Sequence, residues 1–284
     1  MENFNKLYNE RTKEILKHSE LIDEVNKRKR TQFVKEEGLN KSICFDGILN
    51  RGEFVYNKDG KYWSRKSRGD EEERWSNSKL RILCITKDSN EGVGEDSDSD
   101  DSGWDIRCES GRNNGSEEIK ITATFYKNYM AVVSLISSCC QCALAPNMPL
   151  EVNNTELCRC IWEEIPLARI NLKKQPGGGS ISKSLLASYA TFYKEVLIKQ
   201  IKSLNANVII CTSAVGMNLL KEIYDLERVN AEHLGTKRDW VYVAPKNNIT
   251  VINSYHFSCW TRWVEKFQKY FYLYYANRYQ YGMD

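Results

Sequence analysis

The chain has 284 residues, of which 41% are hydrophobic and 28% charged, with a formal net charge of +3. That length suits one generous domain with an added arm, since single cores stop growing near about 250 to 300 residues. No apolar run approaches the roughly 20 residues of a membrane helix and the segment Met1 to Lys6 has no apolar leader, so membrane and secreted classes are set aside and the cytoplasm is expected.

In chain order, the first 40 residues carry Ile15, Leu16, Ile22 and Val25 at helical spacing, which predicts a helical N-terminal arm ending near the basic run Lys27 to Arg30. Gly52 to Tyr56 and Lys61 to Trp63 flank Asn57-Lys58-Asp59-Gly60, a tight-turn sequence that predicts a hairpin. Residues 1–75 are thus read as arm and hairpin, and 76–284 as an α/β domain.

Four short apolar or β-branched runs organise that domain: Arg81 to Thr86, Leu167 to Leu172, Asn207 to Cys211 and Ile249 to Asn253. Helical patterns at Phe125 to Cys142, Leu185 to Leu204, Ser213 to Glu227 and Trp260 to Arg278 alternate with them. Runs without a polar face that alternate with helices read as buried parallel strands. The expectation is a three-layer α/β/α fold with a central, mostly parallel four-stranded sheet.

Between the first run and its helix lies Glu91 to Glu118, with ten acidic residues. Such a stretch cannot bury enough apolar surface to order itself, so an acidic loop is expected at 91–118. Two readings stay open, a solvated insertion and a gate that carries Trp104 and Arg107 over a site.

In parallel sheets ligands gather beyond the carboxyl ends of the strands. Those ends are polar here: Lys87-Asp88-Ser89-Asn90 after the first run, Asn171 with Lys173 and Lys174 at the second, and Tyr255-His256-Phe257-Ser258 after the fourth. A carboxylate can orient water or offset positive charge, an amide can read a base edge, and a neutral imidazole can donate to a developing anion. Each residue also has a bland reading as a loop cap or a satisfied structural group.

The strand ends resemble those of the uracil-DNA glycosylase superfamily. That family ends its first strand in Gly-Gln-Asp-Pro-Tyr or Gly-x-Asn-Pro-Gly, where this chain has Thr86-Lys87-Asp88-Ser89-Asn90. Its middle strand carries a base-reading Asn, matched by Ala168-Arg169-Ile170-Asn171-Leu172, and a late strand ends in His-Pro-Ser, matched with one change by His256-Phe257-Ser258. The resemblance covers about residues 80 to 280. It implies a monofunctional DNA glycosylase that removes a damaged or modified pyrimidine, with Asp88 and His256 as catalytic residues and Asn171, Asn90, Tyr255 and Trp104 at the base. Lys173, Lys174, Ser258, Trp260 and Arg262 would contact DNA. The implied partner is DNA, bound by a monomer without a membrane or a cofactor.

Thr86, Ser89 and Phe257 stand where the family has glycine and prolines, so both loops are expected to differ in shape, and a hypermodified base is as open as uracil. The segment Lys173 to Ser180 suits either a phosphate cradle or a flexible glycine loop. Cys139-Cys140-x-Cys142 and Cys158-x-Cys160 lack zinc spacing and are read as buried helix thiols, with no metal. Two rivals remain open, a non-catalytic module that binds DNA or a modified base, and an enzyme acting on free nucleosides or nucleotides.

Overall fold

The four runs fold as adjacent strands because their side chains are mostly apolar on both faces, with Arg169 and Asn171 of the second as exceptions. In the computed structural model, which describes residues 46–57, 62–87, 89–90, 106–111, 124–140, 154–174, 176–177, 181–229, 239–260 and 262–276, they are β4 (Ile82–Thr86), β6 (Leu167–Asn171), β8 (Val208–Cys211) and β11 (Ile249–Asn253). They pair in the order β6-β4-β8-β11, every pair parallel.

The sheet is wider than four strands. Counting described residues only, it has seven: β1 (Gly47–Ile48) pairs antiparallel with β6, and β10 (Val241–Ala244) and β9 (Glu227–Arg228) extend the other edge antiparallel. The expected four-stranded sheet is therefore the parallel centre of a mixed one. Two-residue strands leave no period to detect. β10 lies a few residues before β11, across Asn248 in a left-handed turn (φ 52°), so the two form a hairpin.

Successive strand residues point to opposite faces, and each face has its own core. Ile82 and Cys84 join one cluster with Tyr129, Trp162 and Phe267, under helices α2 (Thr124–Cys140), α3 (Thr155–Glu164) and α7 (Trp263–Ala276). Leu83 and Ile85 join a second with Leu186, Leu197 and Leu220, under α4 (Lys183–Phe192), α5 (Lys194–Leu204) and α6 (Ala214–Ile223). Helices thus cover both faces, as an α/β fold requires.

The helix expected over Leu185 to Leu204 is two helices broken at Tyr193, whose backbone (φ −89°, ψ 8°) leaves the helical region. Tyr193 is buried at the break, where its ring packs on Tyr189 and Phe192. Helix α3 was not anticipated, because its apolar positions are interleaved with Glu, Arg and Cys; Asn154 caps it through Leu157 N at 3.0 Å.

The expected hairpin forms slightly later in the chain, between β2 (Phe54–Asn57) and β3 (Tyr62–Arg65). Gly52 starts it because its N–H reaches Lys66 O at 2.8 Å, where a Cβ would lie 2.4 Å from that oxygen. Trp75, in the short helix α1 (Glu71–Asn77), anchors the following segment by donating to Leu204 O at 2.8 Å. The N-terminal arm and most of the acidic segment lie outside the described residues. No helix among the described residues is long and apolar enough to cross a membrane.

Candidate active site

The carboxyl ends of β6, β4, β8 and β11 lie in one row, because Asn171 pairs with Thr86, Ile85 with Cys211, and Cys211 with Asn253. Beyond this row opens a cleft of about 590 Å³ whose lining includes Lys87, Lys183, Thr212, Ser213, Tyr255 and His256. Among the described residues its walls carry two lysines and no carboxylate. Ser213 caps α6 by accepting from Gly216 N at 3.0 Å, so the positive end of that helix also faces the cleft.

His256 is half-buried in this wall. Burial, then the charges of Lys87 and Arg169, lower its pKa from 6.5 to about 4, so the ring is neutral at pH 7. Its Nδ1 accepts from Ser258 N at 3.3 Å, which places the proton of the neutral ring on Nε2 and makes that atom a donor. The Phe125 ring packs against the imidazole at 5.8 Å between centroids.

Asn171 is fully buried at the end of β6 and is not among the residues lining the cleft. Its backbone N–H donates to Asp46 Oδ2 at 2.9 Å, and its Oδ1 accepts from the Thr86 hydroxyl. Its Nδ2 has no hydrogen-bond partner among the described residues. Several other buried polar atoms share this state, Trp162 Nε1 among them, so the open donor is a capacity of Asn171 and not by itself a ligand position.

Asp88 and Trp104 lie outside the described residues. Asn90 sits in β5 (Ser89–Asn90), which pairs with β7 (Pro176–Gly177), so the stretch after the first strand runs beside the start of the glycine loop. Arg107 lies in the turn Ile106–Gly111, where its carbonyl accepts from Asn50 N at 2.9 Å and Ile106 is buried.

The two lysines expected to meet DNA are enclosed instead. Lys174 donates to Asp46 Oδ2 at 2.6 Å and to Gln200 Oε1 at 2.8 Å, with both charged side chains of the pair inaccessible. Lys173 is buried with its ammonium 4.7 Å from the Tyr189 ring centroid. Both ammonium groups are thus held inside the fold and do not reach the surface as the DNA-contact expectation requires. Phe257, which stands where the family has proline, is a core residue, stacked on Tyr129 at 4.5 Å. Tyr255, Ser258 and Arg262 are exposed, and Trp260 is 89% exposed.

Sequence reasoning assigned no role to Arg169, Phe125, Lys87 or Lys183. An arginine inside an otherwise apolar strand, two residues before Asn171, was the available signal for the first. Among the described cysteines, Cys139 and Cys158 are buried helix thiols as expected, whereas Cys140 and Cys160 are exposed. The described residues contain no group of three or more potential metal ligands.

No known protein-family model matches this chain. The curated proteins and the solved structures likewise contain no match.

Proposed function

We propose that the chain is a DNA glycosylase that hydrolyses the N-glycosidic bond of a damaged or modified pyrimidine. The observation that carries this reading is His256, a neutral imidazole whose Nε2 is free to donate, lining with Lys87 and Lys183 a cleft beyond the parallel strands. Breaking a glycosidic bond leaves negative charge on the departing base, and a fixed donor beside positive groups stabilises that charge as it forms. Asn171, with an open amide donor, is assigned to the base edge. Asp88, two residues past β4, is assigned to water and to the oxocarbenium-like sugar. Tyr255, which lines the cleft, and the exposed Trp260 are assigned to stacking against the flipped or flanking base.

A second reading, hydrolysis of free nucleotides, is favoured by one specific observation. Burial of Lys173 and Lys174 removes two expected DNA contacts, while Lys87 and Lys183 line the cleft itself and suit a single phosphate.

The test is release of base from single- and double-stranded DNA carrying uracil and a panel of modified pyrimidines, read as alkali-sensitive abasic sites. His256→Ala is expected to lower the rate about 100- to 1000-fold, the usual effect of removing one donor to developing charge. Asp88→Asn is expected to abolish release. Wild-type rates in both variants sink the site assignment, and turnover of free nucleotides without release from DNA selects the second reading.

A further inference from the structure

Arg169 lies at the centre of β6, two residues before Asn171, so strand alternation places both on the face that also carries Thr86. A guanidinium buried in a strand interior persists only when specific partners hold it. Its Nε donates to Thr86 Oγ1 at 3.1 Å, and its guanidinium carbon lies 5.1 Å from the Phe125 ring centroid. Phe125 in turn packs on His256. Arg169 therefore stands between the two residues that the proposed reaction uses.

An arginine nitrogen can only donate. Thr86 Oγ1 must accept at that contact, and its single proton passes on to Asn171 Oδ1, with Ile170 O at 3.3 Å as the competing acceptor. With Oδ1 engaged, the Asn171 amide turns Nδ2 away from Thr86, and Nδ2 is the atom left without a partner.

We propose that Arg169 is the positioning residue of this site, ordering the Asn171 amide through Thr86 and the His256 ring through Phe125, so that the site takes a base edge presenting an acceptor. The ligand part rests on the glycosylase reading; the ordering part does not. Lys87 and Arg169 are the charges that act on His256, and Lys183 and Cys259 line the same cleft, so removal of Arg169 leaves Lys87 and Lys183 in place.

The experiment uses the full chain and three variants, with folding checked by thermal melting. The pH titration of the His256 ring is followed by NMR. Base release is compared between duplexes that differ only in a 4-keto or a 4-amino pyrimidine. Arg169→Met is expected to raise the His256 midpoint above about 4 but to leave it well below 6.5, because burial and Lys87, which act more strongly, remain. Arg169→Lys keeps the charge and is expected to hold the midpoint low while losing preference for the 4-keto base at least 10-fold. Thr86→Val is expected to lose the same preference with the midpoint unmoved.

A folded Arg169→Met protein with an unchanged midpoint overturns the inference. So does a Thr86→Val protein that keeps its preference, or a wild-type protein that releases both bases equally. If Arg169→Met does not fold, Arg169→Lys and Thr86→Val decide through the base preference. If the wild-type protein releases neither base, the glycosylase reading falls, and the titration alone decides whether Arg169 orders His256.

Discussion

At the scale of single residues, His256 makes its neutrality measurable. Its pKa in the fold, about 4, lies below its ordinary value of 6.5, so between those values the unfolded chain binds the proton and the folded one does not. Stability from this group is therefore complete above 6.5 and declines as pH falls toward 4. Urea midpoints recorded across that window should fall less steeply for His256→Gln than for the parent protein. Equal slopes would mean that the ring titrates normally in the fold. The same residue shows how far sequence carries: its place after a polar-ended strand was readable, but its protonation depends on burial and on the charges of Lys87 and Arg169, which lie far from it in the chain. Lys173 and Lys174 show the opposite case. Adjacent lysines before a glycine run look solvent-facing, and only the carboxylate of Asp46, more than a hundred residues earlier, turns Lys174 inward.

At the scale of elements, the segment after β11 divides its aromatics by depth. Phe257 stacks on Tyr129 in the core, whereas Trp260 is almost wholly exposed three residues later. Phe257→Ala should cost about 3 to 5 kcal/mol in urea unfolding, the usual loss for a buried aromatic. Trp260→Ala should change stability by less than about 0.5 kcal/mol, as exposed substitutions do. It should instead weaken binding of a short single-stranded oligonucleotide by about 1 to 3 kcal/mol, the usual contribution of one stacked base. Unchanged oligonucleotide affinity would remove Trp260 from the interface. The central strands were legible because their apolar runs lack a polar face, and their helices because the apolar stripe recurs at helical spacing. Tyr193 was not legible as a break: nothing local forbids helix there, and the interruption coincides with burial of its ring in the core beneath the sheet.

At the scale of the whole molecule, one buried carboxylate joins three distant parts of the chain. Asp46, just before β1, accepts from the Asn171 backbone at the end of β6, from Lys174 beyond it, and from Gln200 of α5. It thereby fixes the edge strand, the strand end that carries Asn171, and a helix on one face of the sheet in a single cluster. Asp46→Ala would leave the Lys174 ammonium buried without its counter-charge, together with a backbone N–H that has lost its acceptor. The expected cost is about 3 to 5 kcal/mol, enough to threaten folding in a domain of ordinary stability. Much of that cost is desolvation of the surviving charge and not attraction lost between the pair. Adding Lys174→Met to Asp46→Leu should therefore recover most of the stability in urea unfolding. Recovery would show that the pair is replaceable as a source of stability, and leave its role to be sought in how it holds Asn171. A double variant as unstable as Asp46→Ala alone would show instead that the remaining contacts of Asp46, to Gln200 and the Asn171 backbone, hold the sheet edge to the domain.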